Sequence, residues 1–174
     1  RFYEAVKSRR FQPTSVVRIT ADCPLVVPNE VLDIIRVFNR SNVDYVSNSH
    51  PVCHVAHGFD IEMFSVAALE RAYRDAKTAH EREHVTPYMY YNMKTLSVGI
   101  GGGWERFAYL GLPIACQCEN GPHPNLSIDY QEDYDRVKDI FCACVEKHGW
   151  TFTQQHVLDY LWGKKNARRG TADV

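Results

Sequence analysis

The 174-residue sequence contains no run of about 18 apolar residues, which excludes a helix that crosses a bilayer by itself. Charge of one sign is also missing. Twenty Lys and Arg against 21 Asp and Glu leave a formal net charge of −1, so nothing pulls the chain generally toward nucleic acid or a membrane surface. The one basic cluster, Lys164 to Arg169, lies at the far end and reads as a solvated tail. No internal repeat, low-complexity segment or signal peptide is visible. Among the six cysteines no C-x₂-C pair occurs; Cys116 and Cys118, and Cys142 and Cys144, are spaced C-x-C, and Cys23 and Cys53 stand alone. Cys142 and Cys144 fall in a helical pattern, where residues two apart point to different sides, so reduced thiols of a cytoplasmic protein are the expectation rather than a zinc site. His50, Cys53, His54 and His57 lack a second ordered pair of ligands and argue against zinc in the same way. The glycines at 101 to 103 precede Trp104 instead of Lys and Ser/Thr, so they make a turn and no phosphate loop.

What is present is an ordinary globular composition, 45% hydrophobic, in a chain close to the size of one domain. Helical spacing covers Phe2 to Arg10, and a helix opens at Pro28 with a stripe of Val31, Leu32, Ile34, Ile35 and Phe38. Asp44 to Ser47 and Phe59 to Phe64 read as strands, and Ser65 as the cap of a helix whose Val66, Leu69, Ala72 and Tyr73 share a face. Helical pattern from Glu81 to Asn92 contains Pro87, which predicts a break near Thr86. A strand over Leu96 to Ile100 and a hairpin between Trp104 and Cys118 come next. Long and short helices over Gln131 to Lys147 and Gln154 to Trp162 complete the pattern. Strands alternating with helices imply an α/β fold with a mostly parallel, doubly wound, Rossmann-like sheet. One domain over 1–162 and a basic, disordered tail over 163–174 are the expected organisation.

Two acids occupy informative places. The β-branched run from Val16 ends at Asp22, just before Cys23-Pro24, and a second run, Leu126-Ser127-Ile128, delivers Asp129. In open α/β sheets ligands bind outside the carboxyl ends of strands. Two carboxylates there form a hard oxygen site suited to Mg²⁺ and the phosphates it bridges. The alternative for each is an acid that caps the following turn or helix.

Five segments together resemble a known family: Arg18-Ile19-Thr20-Ala21-Asp22-Cys23-Pro24-Leu25, Asp44-Tyr45-Val46-Ser47-Asn48, Gly58-Phe59-Asp60-Ile61-Glu62-Met63-Phe64, Glu81-Arg82-Glu83-His84-Val85-Thr86-Pro87-Tyr88 and Asp129-Tyr130-Gln131-Glu132-Asp133. In this order they are similar to the cytidylyltransferases related to CMP-KDO synthetase, and most of all to the branch named for spore-coat polysaccharide biosynthesis. The resemblance implies a nucleotidyltransferase sheet and a reaction in which CMP passes from CTP to an acidic sugar with release of pyrophosphate. It implies Asp22 and Asp129 as catalytic and Mg²⁺-holding residues. Asp60 and Glu62, two apart on a strand, would line the sugar pocket or form the polar side of a half-buried strand. Arg82 would clamp a sugar carboxylate and His84 polarise a hydroxyl, against the plainer reading of a surface ion-pair cluster. Arg18 faces phosphate or pairs with a carboxylate.

The resemblance also implies a Gly-, Ser- and Arg-rich loop ending in lysine, which this sequence does not contain, and Arg1 stands where a Met would begin a gene; a fragment lacking the first strands of the sheet, with an unpaired edge that favours a homodimer, is the expectation. Asn125 and Gln131 replace the arginine and proline usual in the family. A non-catalytic remnant or assembly module of the same fold is therefore the rival reading. A metal-dependent glycosyltransferase is a third, which leaves Glu81 to Tyr88 unexplained.

Overall fold

The computed structural model describes residues 2–49, 56–92, 107–109 and 125–170, without the side chains of 107–109 and 164–170. The strand expected over Leu96 to Ile100, the glycine turn at 101 to 103, Cys53, Cys116 and Cys118 lie outside the described residues, as does most of the hairpin expected before Cys118. The chain clusters into two compact units. The first comprises Arg1–Arg18, Asp33–Cys53 and Ile61–Leu112, the second Ile19–Leu32, His54–Asp60 and Pro113–Val174. Each unit has its own apolar cluster, which is the physical reason for the division.

The first unit holds a four-stranded sheet of β1 (Ser15–Arg18), β2 (Tyr45–Ser47), β3 (Glu62–Ser65) and β4 (Phe107–Tyr109), in the order β1-β3-β2-β4. β3 is antiparallel to both β1 and β2, and β4 is parallel to β2. β1, β2 and β4 thus share one direction and β3 alone opposes them. The α/β character expected from the sequence holds, but two of the three described ladders are antiparallel, which corrects the mostly parallel sheet. A parallel neighbour needs a long crossover, usually a helix. The segment between β1 and β2 contains one, α2 (Pro28–Ser41), whereas the segment from β2 to β3 contains no helix among its described residues, and β3 returns beside β2 in the opposite sense.

Helices α1 (Phe2–Lys7), α3 (Val66–Asp75), α4 (Ala79–His84) and α5 (Pro87–Tyr91) belong to this unit. Its core joins Val6, Tyr45, Phe64, Ala68, Leu69, Ala72 and Met89. Tyr3 of α1 stacks on Tyr73 of α3 at 4.4 Å and donates to Glu70 at 3.0 Å. The break predicted near Thr86 is present. Val85 has φ +68°, a strained value for a β-branched residue, and Pro87 starts α5 as its first residue. Of the α2 stripe, Ile34 is buried, whereas Leu32 stays exposed.

The second unit packs α6 (Gln131–His148) and α7 (Gln154–Gly170) through Val137, Ile140, Cys144 and Val157, with Phe152 from the connection between them, onto Leu25, Val27, Ala56, Phe59 and Leu126. Cys144 is buried and Cys142 exposed, as their spacing of two on a helix requires, and Cys23, Cys142 and Cys144 are free thiols. α7 continues to Gly170, past the boundary at 162 that the sequence suggested. Lys, Ala and Arg are good helix formers, so a solvated basic segment can prolong a helix that is already started.

Ser65 joins the end of β3 to the start of α3. Its hydroxyl accepts from Ala68 N at 3.0 Å and donates to Asp44 Oδ1 at 2.9 Å. Ser65→Ala is expected to lower stability by about 1–2 kcal/mol in urea unfolding, the cost of a lost N-cap.

Candidate functional site

In the second unit the candidate acids lie on turns, not on strand ends. β1 stops at Arg18, and Asp22 follows four residues later in a turn closed by Cys23 N donating to Thr20 O at 3.1 Å. The Leu126–Asp129 stretch is likewise no strand. It is instead held by two backbone hydrogen bonds, Leu126 N to His57 O at 2.7 Å and Ile128 N to Asp22 O at 2.9 Å. These bonds put Asp22 and Asp129 on adjoining backbone segments. The approach is close enough that a Cβ on Gly58 would lie 2.5 Å from the carbonyl carbon of Leu126 and 2.8 Å from Ser127 N, and Gly58 has φ +108°. Only glycine satisfies both conditions.

Around this strap the polar groups converge. Cys23, buried, lies with its sulfur 3.8 Å from Asp22 Oδ1 and 4.0 Å from Asp60 Oδ2, and Thr20 Oγ1 donates to the sulfur at 3.2 Å. Burial pushes the Cys23 thiol up to about 11, so its S–H is kept and serves as a donor to carboxylate. Asp60 Oδ2 also accepts from Gly58 N at 3.0 Å and lies 3.2 Å from His57 Nδ1. At the start of α6, Asp133 accepts from Asp129 N and Tyr130 N at 3.2 and 3.1 Å, and these two backbone donors, with Arg136, hold its carboxyl below the usual range. Asp129 itself is exposed, with Ser127 Oγ 3.5 Å from its Oδ2. Asn125 Oδ1 accepts from Ser127 N and Oγ and closes the turn ahead of Asp129.

Among the described residues no three His, Cys, Asp or Glu side chains converge as a metal-binding group. A cage built wholly from these side chains is therefore absent from the described part. Mg²⁺ needs less: one or two carboxylates, with water and substrate phosphate completing its shell. Asp22 and Asp129, hard oxygen donors on strapped backbones, fit that requirement.

In the first unit a buried carboxylate is bound from both sides. Glu62 on β3 accepts from Tyr45 of β2 and from the guanidinium of Arg18 of β1, and only 3% of Glu62 is accessible. The register pairs Arg18 with Glu62, which makes the ion pair cross-strand. Burial and the Glu62 charge raise the Tyr45 hydroxyl well above its usual value, and burial, with Tyr91 beside it, raises Tyr90 to about 12.

The sequence model of the cytidylyltransferase family matches residues 1–165. The chain belongs to the cytidylyltransferase family. A cytidylyltransferase from Leptospira borgpetersenii serovar Hardjo-bovis shares its fold, with a TM-score of 0.66 and 22% identity over 96% of this chain and 62% of that one. An uncharacterized protein of Methanocaldococcus jannaschii is 37% identical over 98 residues, which cover 56% of this chain and 38% of that protein. The chain spans less than two thirds of each of these two relatives.

Within this cytidylyltransferase-family chain, Asp22, Asp60 and Asp129 come together in the second unit. Asp60 does not share a strand face with Glu62, because β3 begins at Glu62 and Asp60 belongs to the turn before it. Arg18 and Glu62 are occupied by each other. Arg82, exposed, lines a cavity of about 150 Å³ in the first unit whose walls include Phe2, Tyr3, Tyr73 and Val85. Glu81, also on that cavity, is engaged by the backbone and hydroxyl of Thr78 as a helix-capping box. His84 is exposed at the end of α4, its ring 4.6 Å from that of His80. Sequence reasoning passed over Cys23, His57 and Tyr45 as site-building residues. The signal for His57 was its place beside Gly58 and three before Asp60, which a tight turn folds into one cluster.

Gly58→Ala is expected to destabilise the second unit by about 3 kcal/mol, from backbone overlap and the positive φ, and to loosen amide protection at Leu126 and Ile128 in hydrogen exchange. The tyrosines give a pH signature. In the unfolded chain they ionise near pH 10, whereas the folded chain keeps them protonated, so their contribution is complete below pH 10 and is lost as pH rises above it. Urea unfolding between pH 8 and 11.5 is expected to show this decline, and Tyr45→Phe to flatten it by up to about 1.4 kcal/mol per pH unit.

Proposed function

We propose that this chain serves the transfer of CMP from CTP to an acidic sugar, with release of pyrophosphate, for the synthesis of surface polysaccharide or glycan. The observation that carries the reading is the strap between Asp22 and Ile128, which brings two carboxylates onto adjoining turns in a chain of the cytidylyltransferase family. Phosphoryl-group chemistry of this kind asks the protein mainly for positioning and for neutralisation of developing charge. In the proposal Asp22 and Asp129 hold Mg²⁺, whose chemistry when bound is to bridge and neutralise phosphate oxygens. Asp60 Oδ2 accepts from Gly58 N and faces His57 Nδ1 and the Cys23 sulfur, and in the proposal Asp60 acts as support.

Arg82 is the proposed partner of the sugar's carboxylate. It adjoins aromatic faces in its cavity, and flat aromatic walls with one cation suit a ring that bears an acid. His84 is a weaker candidate, since it faces solvent at a helix end. Arg18 and Glu62 serve the sheet in this reading rather than the ligand. CTP is a cytoplasmic nucleotide, so the proposed reaction is cytoplasmic. Self-association as a homodimer belongs to the same proposal and is read by sedimentation of the same sample.

Calorimetric titration of CTP into the folded chain, with and without Mg²⁺, tests the reading. Metal-dependent binding that weakens at least about tenfold in Asp22→Ala, the loss of one charged ligand, is the expected result. A folded chain that binds no CTP in either condition would support the rival reading, a non-catalytic module of the same fold.

A further inference from the structure

We propose that His57 is the general base of the transfer, with Asp60 as the residue that positions it. The inference rests on the cytidylyltransferase reading and adds to it the group that takes the acceptor's proton.

The geometry begins with the backbone. Leu126 N binds His57 O at 2.7 Å, and Gly58 takes φ +108° against the Leu126 carbonyl, so the backbone that follows the His57 side chain is fixed. The imidazole is then oriented by Asp60, whose Oδ2 lies 3.2 Å from Nδ1 and is held in turn by Gly58 N at 3.0 Å. A carboxylate oxygen accepts, so in the proposal Nδ1 turns its hydrogen toward Asp60 and Nε2 presents the lone pair. Nε2 has no hydrogen-bond partner among the described residues. The exposures differ as the two roles require: the His57 side chain is 61% accessible and that of Asp60 21%. A base must reach a ligand; its orienting group is better sheltered.

The pair also lies beside the acids of the site. The Cys23 sulfur is within 4.0 Å of Asp60 Oδ2 and 3.8 Å of Asp22 Oδ1, so one thiol separates the carboxylate that orients His57 from the one proposed to hold Mg²⁺. A hydroxyl attacking phosphorus has to lose its proton, and an imidazole whose Nδ1 faces a carboxylate is suited to accept it at Nε2. The step balances as follows. The acceptor oxygen forms a bond to the α-phosphorus, the bond from that phosphorus to the bridging oxygen breaks, and pyrophosphate leaves. The hydroxyl proton passes to Nε2 of His57, which afterwards releases it to water.

Two readouts on the full chain test the assignment. Long-range ¹H–¹⁵N NMR of the imidazoles is expected to show His57 as the Nδ1–H tautomer, and Asp60→Asn to lose that preference. An Nε2–H tautomer in the wild type overturns the proposal. Pyrophosphate release from CTP and Mg²⁺, with KDO or N-acetylneuraminate as probe acceptor, is expected to fall on the order of 10²–10⁴-fold in kcat for His57→Gln, while calorimetric CTP affinity stays within about twofold. A smaller fall is expected for Asp60→Asn, which leaves the base in place but unoriented. Unchanged kcat in His57→Gln, with CTP still bound, overturns the base and leaves the transferase reading intact. A wild type that binds no CTP overturns both. Where CTP binds and neither probe is accepted, the tautomer spectrum decides.

Discussion

The second unit depends on one close approach, the backbone of Gly58 against the backbone of Leu126 and Ser127. A side chain at residue 58 would lie inside van der Waals contact with a peptide group that cannot swing aside, and φ +108° would strain it further. Because that approach is permitted, Leu126 can bond to His57 O and Ile128 to Asp22 O. Three turns far apart in sequence are thereby tied to one another, and each contributes an acid: Asp22, Asp60 and Asp129. Leu126 and Phe59, buried in the same apolar cluster, hold the strap from behind. The polar cluster is thus set by backbone hydrogen bonds and apolar packing, and Asp129 stays exposed.

The first unit solves a different problem. A carboxylate on the middle of a sheet is costly to bury unless it is paired and hydrogen-bonded. Glu62 meets both conditions, with Arg18 across the ladder and Tyr45 from the next strand. Removing Arg18 would leave a buried charge uncompensated and removing Tyr45 would leave a carboxylate oxygen without its donor, so the trio favours this register of β1, β3 and β2. Arg18 and Glu62 owe their places in the five resembling segments to the sheet on this account, since the Arg18 guanidinium donates to Glu62 across the ladder.

Much of the local structure was legible in the residues. The Ser65 cap, the break ahead of Pro87, the start of α2 at Pro28 and the opposite faces of Cys142 and Cys144 all follow from short-range rules, and the structure agrees with each. The direction of β3 was not legible, because a strand's own side chains do not record which neighbour it pairs with or in which sense. Apolar runs before Asp22 and Asp129 have the pattern of strands that reach the acid. In fact the ladder of β1 ends at Arg18, and Leu126 is buried by packing without a ladder at all.

The sequence by itself determined the family, since five ordered segments resembled cytidylyltransferases and the family's sequence model spans residues 1–165. It determined most helix boundaries as well, because caps, prolines and 3.6-residue spacing act within a few residues. Only the tertiary structure decided which candidate residues belong together. It joined Asp22 to the segment before Asp129, moved Asp60 away from Glu62, and turned His57 from a loop histidine into the partner of Asp60. The reason is that the strap passes through backbone bonds and a glycine contact between residues 68 to 106 positions apart, which no local pattern encodes, whereas the His57–Asp60 approach spans three residues and depends on the turn at Gly58.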